Sequence, residues 1–84
     1  MRPDAEPLAV ALRYDHAGAP RVTARGRGEA AARILEAAAA HGVPIEEDAA
    51  LAVALARVEI DEEIPLELYE AVAAVLRFVL GMQR

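Results

Sequence analysis

Two short stretches of alternating side chains near the start of the chain constrain the fold most strongly. Over residues 8–14, larger apolar or aromatic side chains alternate with smaller or charged ones, which is the two-residue period of a strand with one buried face. The alternation stops around Gly18 and Pro20 and returns over residues 21–25, where Val22 and Ala24 are expected to face inward. Two such runs separated by a turn predict an antiparallel hairpin.

A helical period follows the second predicted strand. Gly26 and Gly28 end the strand, and residues 29–41 carry their larger apolar side chains on one side of a helix that stops at Gly42. Residues 43–46 then read as a short strand, which a right-handed crossover would place parallel to the preceding strand. The inward side of the helix is expected to comprise Ala31, Ile34, Leu35 and Ala38.

The second half of the chain predicts two further helices. Asp48 is a suitable cap for a helix over residues 49–57, and Pro65 suits the first position of a last helix that ends at Gly81. We therefore predict one α/β domain over residues 8–81, after a flexible lead-in over residues 1–7. Its small mixed sheet would contain the antiparallel hairpin plus one parallel strand, covered by three helices.

The residue types that are missing exclude several kinds of chemistry. The sequence has no Cys, Ser, Asn, Lys or Trp, so disulfides, thiolate or serine nucleophiles and Schiff-base lysines are ruled out. Its two histidines, His16 and His41, lie far apart in the sequence and neither has a second histidine at ligand spacing. We expect no catalytic residue, no metal site and no cofactor, and hence a protein that is not an enzyme.

Charge and hydropathy limit the partners. The net charge of −5 argues against nucleic acid, because phosphate binding depends on a basic surface. The longest apolar run, residues 49–56, is far shorter than the ~20 residues of a membrane span, so we expect no membrane insertion and a cytoplasmic location. Arginines 13, 21 and 25 are expected to form salt bridges with the acidic link over residues 59–63.

One motif suggests an alternative function. Residues 26–31 form a G-x-G-x-x-A pattern between a predicted strand and a helix, and Glu46 follows about twenty residues later, as in dinucleotide-binding units. However, Glu29 places a negative charge where a pyrophosphate needs positive potential. The simpler interpretation is a tight turn made by Gly26 and Gly28, with nucleotide binding kept as an alternative.

Several short segments follow one another in a recognisable order. They are Ala9-Val10-Ala11-Leu12-Arg13-Tyr14-Asp15, Ala19-Pro20, Ala24-Arg25-Gly26-Arg27-Gly28, Gly42-Val43-Pro44, Leu51-Ala52, Glu63-Ile64-Pro65 and Leu68-Tyr69-x-Ala71-Val72-Ala73. In order and with nearly constant spacing, they resemble the C-terminal cytosolic domain of the FlhB/YscU family of flagellar and type III export proteins. The likeness extends from Leu8 to about Val79.

The resemblance also exposes two departures from the family pattern. The family cleaves itself at an Asn-Pro-Thr-His loop through attack by the asparagine amide, whereas the aligned residues here are Asp4-Ala5-Glu6-Pro7. Since the chain has no Asn, we expect no self-cleavage, and we expect the chain to be a stand-alone counterpart of the fragment that cleavage releases. Val53 stands where relatives usually carry Arg.

The resemblance implies a docking function. Family members are thought to hold early export signals in a small apolar pocket, whose counterparts here are Ala19, Pro20, Ala73 and Leu76. We expect the partners to be early export substrates and export-gate components, met in the cytoplasm beside the membrane gate. Because the family's upstream strand is missing, an open sheet edge could accept a partner strand or a second copy. The alternatives are the nucleotide-binding domain and an orphan protein-interaction domain.

Overall fold

The computed structural model describes residues 6–15 and 18–81, which form a hairpin followed by three helices. The elements are β1 (Leu8–Arg13), β2 (Arg21–Arg27), α1 (Glu29–Ala40), α2 (Ala49–Leu55) and α3 (Leu66–Gly81). The predicted α/β class, antiparallel hairpin and three helices are confirmed. The predictions made for residues 1–5, which include most of the lead-in, and for His16 in the hairpin turn lie outside the described residues.

Helices cover both faces of the hairpin, and small side chains make this possible on one of them. Ala9 pairs with Gly26, and Ala11 pairs with Ala24, so these residues share one face of the sheet. A Cβ atom on Gly26 would lie only 2.6 Å from the Cβ of Ala30, which shows that α1 covers this face at close range. Small side chains on this face of β1 therefore alternate with larger, partly buried ones on the other face, and Ala9 is only 7% exposed.

A β-bulge at Thr23 directs Val22 to the opposite face. Ala11 pairs with Ala24, but the next residue, Leu12, pairs with Val22, so Thr23 is the extra residue. The Thr23 hydroxyl donates a hydrogen bond of 3.3 Å to the Ala11 carbonyl. Our expectation that Val22 and Ala24 face the same way was wrong, because an inserted residue reverses the alternation.

Val22 lies at the centre of the main core, on the face turned towards α2 and α3. Its side chain is fully buried. Val10 and Leu12 of β1 pack against this cluster, as do Leu51 and Leu68. The buried members of the cluster are Val22, Leu55, Val58, Ile64 and Val72.

The predicted parallel strand over residues 43–46 is absent from the described structure. The sheet consists of β1 and β2, and the segment between α1 and α2 is irregular and exposed. Val43 and Ile45 remain about half exposed, so no apolar surface fixes them against the sheet. Pro44 also lacks a backbone N–H, which weakens any strand ladder at this position.

The acidic link lies beside β2 instead. Glu63 and Arg21 form an isolated antiparallel bridge. Val22 donates its N–H to the Glu62 carbonyl at 3.1 Å and accepts the Asp61 N–H at 2.6 Å, and Ile64 donates to the Pro20 carbonyl at 3.0 Å. Asp61 has a φ of 73°, a left-handed conformation that aspartate tolerates better than most residues. The link thus covers part of the outer edge of β2.

The helix ends lie close to those predicted from the sequence, but Leu35, which was predicted to face inward, does not. The Asp48 carboxylate accepts the Leu51 N–H at 3.0 Å, as expected of an N-cap, although α2 ends at Leu55 rather than near Arg57. On α1, Ala31 is fully buried, whereas Leu35 is 38% exposed. The small residue Ala31 is the inward centre because α1 approaches the sheet so closely.

We predict that Gly26→Ala destabilises the protein. The added Cβ would meet the Ala30 Cβ at 2.6 Å and its carbonyl carbon at 3.1 Å, so α1 or β2 must move. The free energy of unfolding should fall by about 1–3 kcal/mol, as for other overpacked cores. Urea denaturation measures this change. The control is Gly18→Ala, whose Cβ would have its nearest neighbour at 3.9 Å, and equal stability of the two variants would contradict the close approach.

Removing the Arg21 side chain should loosen the acidic link. Its Nη1 donates a 2.6 Å hydrogen bond to the Asp61 carbonyl, and its Nη2 lies 3.5 Å from the Glu63 carboxylate. Both side chains are more than half exposed, so solvent screens the ion pair and the hydrogen bond should contribute most. We expect Arg21→Gln to lower the free energy of unfolding by about 0.5–1.5 kcal/mol.

Urea denaturation at low and high salt tests the Arg21 prediction. Most of the loss should persist at high salt, because a hydrogen bond to a carbonyl is screened less than an exposed ion pair. Arg33→Gln, on an exposed part of α1, is the matched control and should change little. A loss that disappears completely at high salt would assign the effect to the ion pair instead.

Candidate partner-binding site

The hairpin contributes Ala19 and Pro20 to the predicted site. Ala19 is partly buried and packs against the main core cluster. Pro20 is buried, and its carbonyl accepts the Ile64 N–H at 3.0 Å, which holds the entry to β2 against the acidic link. Proline suits this position because its fixed φ and missing N–H are compatible with the first residues of an edge strand.

Helix α3 contributes Ala73 and Leu76. The two residues are three apart and therefore share a side of the helix. Both are partly buried, and Leu76 packs against the same core cluster as Ala19. Val72, immediately before Ala73, is 1% exposed and anchors this part of α3 in the core.

These positions favour a small apolar surface rather than a chemical centre. Ala19, Ala73 and Leu76 retain partial exposure, whereas Pro20 is buried. Ala19 and Leu76 both pack against one core cluster. An arrangement of this kind can accept a short apolar side chain from a partner, but it offers no polar group for catalysis.

The two glycines of the β2–α1 turn have structural roles. Gly28 has φ 57° and ψ −123°, a backbone conformation that is essentially restricted to glycine, and Gly26 makes room for α1. The Glu6 carboxylate carbon would lie 3.8 Å from a Cβ on Gly28, and Glu29 occupies the first turn of α1. These two carboxylates leave the start of α1 poorly suited to a pyrophosphate. Nothing in this geometry favours the nucleotide alternative.

Residues 6–15 and 18–81 contain no group of three or more His, Asp or Glu side chains that could hold a metal ion. No charged or polar residue in these ranges is buried. No helix in the described part of the chain is long and apolar enough to cross a bilayer. His41, at the end of α1, directs Nδ1 towards the Ala37 carbonyl at 2.9 Å, which is a local contact of the helix end.

A groove between α2 and the start of α3 was missed by the sequence analysis. It has a volume of about 600 Å³. The sequence indicates Val53 only as a departure from the family pattern, and Glu62 and Glu63 only as part of the acidic link. A short helix followed by a cluster of acids is too common a pattern to indicate a groove. The lining residues are Ala50, Val53, Ala54, Arg57, Val58, Glu62, Glu63, Pro65, Glu67 and Leu68.

Comparison with known proteins identifies relatives over nearly the whole chain. The model of the FlhB HrpN YscU SpaS family matches residues 5–79. An uncharacterized Bacillus subtilis protein, YlqH, is 44% identical over 73 residues, covering 84% of this chain and 78% of YlqH. The flagellar biosynthetic protein FlhB of Salmonella typhimurium is 48% identical over 79 residues, which cover 90% of this chain but only 21% of FlhB. The chain thus spans about a fifth of the length of FlhB.

Solved structures show the same relationship at the level of the fold. The crystal structure of the PscU C-terminal domain superposes with a TM-score of 0.82 at 33% identity, covering 86% of this chain and 95% of that domain. A mutated EscU/SpaS C-terminal domain gives a TM-score of 0.81 at 26% identity. The chain therefore belongs to the FlhB HrpN YscU SpaS family and has the fold of the family's C-terminal domain.

Proposed function

We propose that this chain is a non-enzymatic binding module of flagellar or type III protein export. It would dock early export substrates or complement a membrane-bound FlhB-type protein. The observation that carries the proposal is its correspondence to a whole C-terminal domain, since the alignment covers 95% of the PscU domain. The FlhB of Salmonella typhimurium is identical at nearly half of the 79 aligned positions. Such a domain presents surfaces to proteins rather than a catalytic cleft.

The docking surface that we propose comprises Ala19, Pro20, Ala73 and Leu76. Two of these residues pack on one core cluster, and three retain partial exposure. Short apolar side chains beside the buried core cluster suit a small hydrophobic residue of an extended export signal. The energy available from such a contact is modest, at about 1.5–3 kcal/mol for one fully buried Val or Leu side chain. A transient complex suits export substrates, because they must dissociate from the domain before they are exported.

Absence of self-cleavage is part of the same proposal. The family reaction requires an asparagine side-chain amide as nucleophile, and this chain contains no Asn. Asp4 stands at the aligned position. Its carboxylate lacks the amide nitrogen that attacks the carbonyl in that reaction. The switch that cleavage provides in relatives would therefore be unnecessary or supplied in another way.

Complementation would use the free edge of the hairpin. Within the described residues, β1 pairs with β2 and no strand pairs with its other edge, whereas the acidic link covers part of the edge of β2. An unpaired edge offers backbone donors and acceptors to an added strand. A strand from a membrane-bound FlhB-type protein is the partner proposed here, and a second copy of the chain is the competing occupant.

The docking proposal predicts selective binding of peptides from the N-terminal signals of early export substrates. In an NMR titration of the labelled protein, shifts should centre on Ala19, Ala73 and Leu76. Ala73→Glu should weaken binding about tenfold, because it places a charge on the apolar surface. Ala74→Glu is the matched control, since Ala74 is the exposed neighbour on α3 and should leave binding unchanged.

Two results would contradict the docking proposal. The first is a titration without shifts, and the second is equal weakening by the Ala73 and Ala74 variants, which would indicate a general charge effect. Strand complementation has a separate readout, because an added strand should protect the amides of β1 from hydrogen exchange. Protection of β1 by a fragment of a FlhB-type protein that ends before this domain would support complementation even without peptide docking.

A further inference from the structure

The groove between α2 and the start of α3 has a chemical character different from that of the proposed docking surface. Its apolar lining comes from α2, Val58 and the segment that begins α3. Val53 is 52% exposed there despite being β-branched and apolar. Leu66, next to the lining residue Pro65, is 84% exposed. None of Ala19, Pro20, Ala73 or Leu76 lines this groove.

Carboxylates dominate the charge of the groove. Glu62, Glu63 and Glu67 line it, and Arg57 is the lone cation among the lining residues. Within the described part of the chain, Glu63 is paired with Arg21, whereas Glu62 and Glu67 form no ion pair. Two carboxylates thus remain available at the border of an exposed apolar surface. With three carboxylates against one guanidinium, the lining favours cations over anions.

We propose that this groove binds a basic amphipathic segment of a partner protein. Apolar side chains of that segment would lie against Val53, Ala54 and Leu68, and its Arg or Lys side chains would meet Glu62 and Glu67. A volume of about 600 Å³ is sufficient for a few side chains of a peptide. The proposal does not depend on the docking of export signals, because the two surfaces share no residue.

Other occupants fit the groove less well. Nucleic acid and anionic lipid would bring phosphates to a carboxylate-lined surface, where like charges repel. A second copy of this chain carries a net charge of −5 and would have to overcome the same repulsion. A metal ion would need a closer cluster of ligands than the described residues provide. A polyamine would satisfy the carboxylates but would leave the apolar lining exposed.

The test uses a synthetic twelve-residue peptide in which Arg residues alternate with Leu or Ala residues. Its comparison peptide has the same sequence with Glu in place of every Arg, and spermidine is the third probe. NMR shifts of the labelled protein should centre on Val53, Ala54 and Leu68 with the basic peptide alone. The affinity should decrease at high salt, because exposed charge pairs are screened.

Substitutions then separate the charged and apolar contributions. The double variant Glu62→Gln, Glu67→Gln should weaken binding of the basic peptide about tenfold, since two exposed ion pairs are lost. Val53→Asn should also weaken binding, because it removes an apolar contact without changing the charge of the groove. Glu70→Gln is the matched control, because Glu70 is exposed on α3 outside the groove and should leave the affinity unchanged. Circular dichroism checks that each variant is folded.

Three outcomes would overturn the proposal. They are shifts located away from the groove, equal binding of the acidic peptide, and spermidine binding as tightly as the basic peptide at the same residues. The last result would mean that the apolar lining contributes nothing. A failure of export-signal docking at Ala73 would not affect these readouts, so the two proposals can fail separately.

Discussion

The bulge at Thr23 is the constraint on which the rest of the structure depends. It turns the fully buried side chain of Val22 to the face occupied by α2 and α3. The backbone of the same residue makes two hydrogen bonds to the acidic link. One valine thus joins the hairpin, the link and the helical layer. Without the bulge, Val22 would face α1, where only small side chains fit.

On the opposite face of the hairpin, the small size of the side chains matters more than their hydrophobicity. Gly26, Ala9 and the alanines of α1 allow two backbones to approach closely, so this layer is thin. The larger apolar side chains Val10, Leu12 and Val22 pack into the core on the other face. The division explains how a chain with much alanine and few aromatic residues still forms a central cluster of valine, leucine and isoleucine.

The acidic link has both a structural and an electrostatic role. It bridges to β2 through its backbone, and Arg21 neutralises part of its charge. The carboxylates that remain lie beside the exposed apolar surface of α2, whereas the surface proposed for export signals is formed by the hairpin and α3. The surface proposed for export signals and the groove proposed for a basic segment therefore differ in chemical character.

Local sequence patterns were sufficient to predict the hairpin, the helices and the family. Alternation predicted the hairpin, the caps and periodicity predicted α1, α2 and α3, and the ordered segments from Ala9 to Ala73 indicated the relatives. These features depend on neighbouring residues, which a linear pattern records directly.

The segment that lies beside β2 could not be predicted from local patterns, because it depends on tertiary packing. Residues 43–46 have the local pattern of a strand but are exposed, whereas residues 61–64 resemble a loop and yet pair with β2. Pairing at a sheet edge depends on which segment the packing of the helices brings there. The groove between α2 and α3 likewise depends on helix packing, and no spacing within the sequence encodes it.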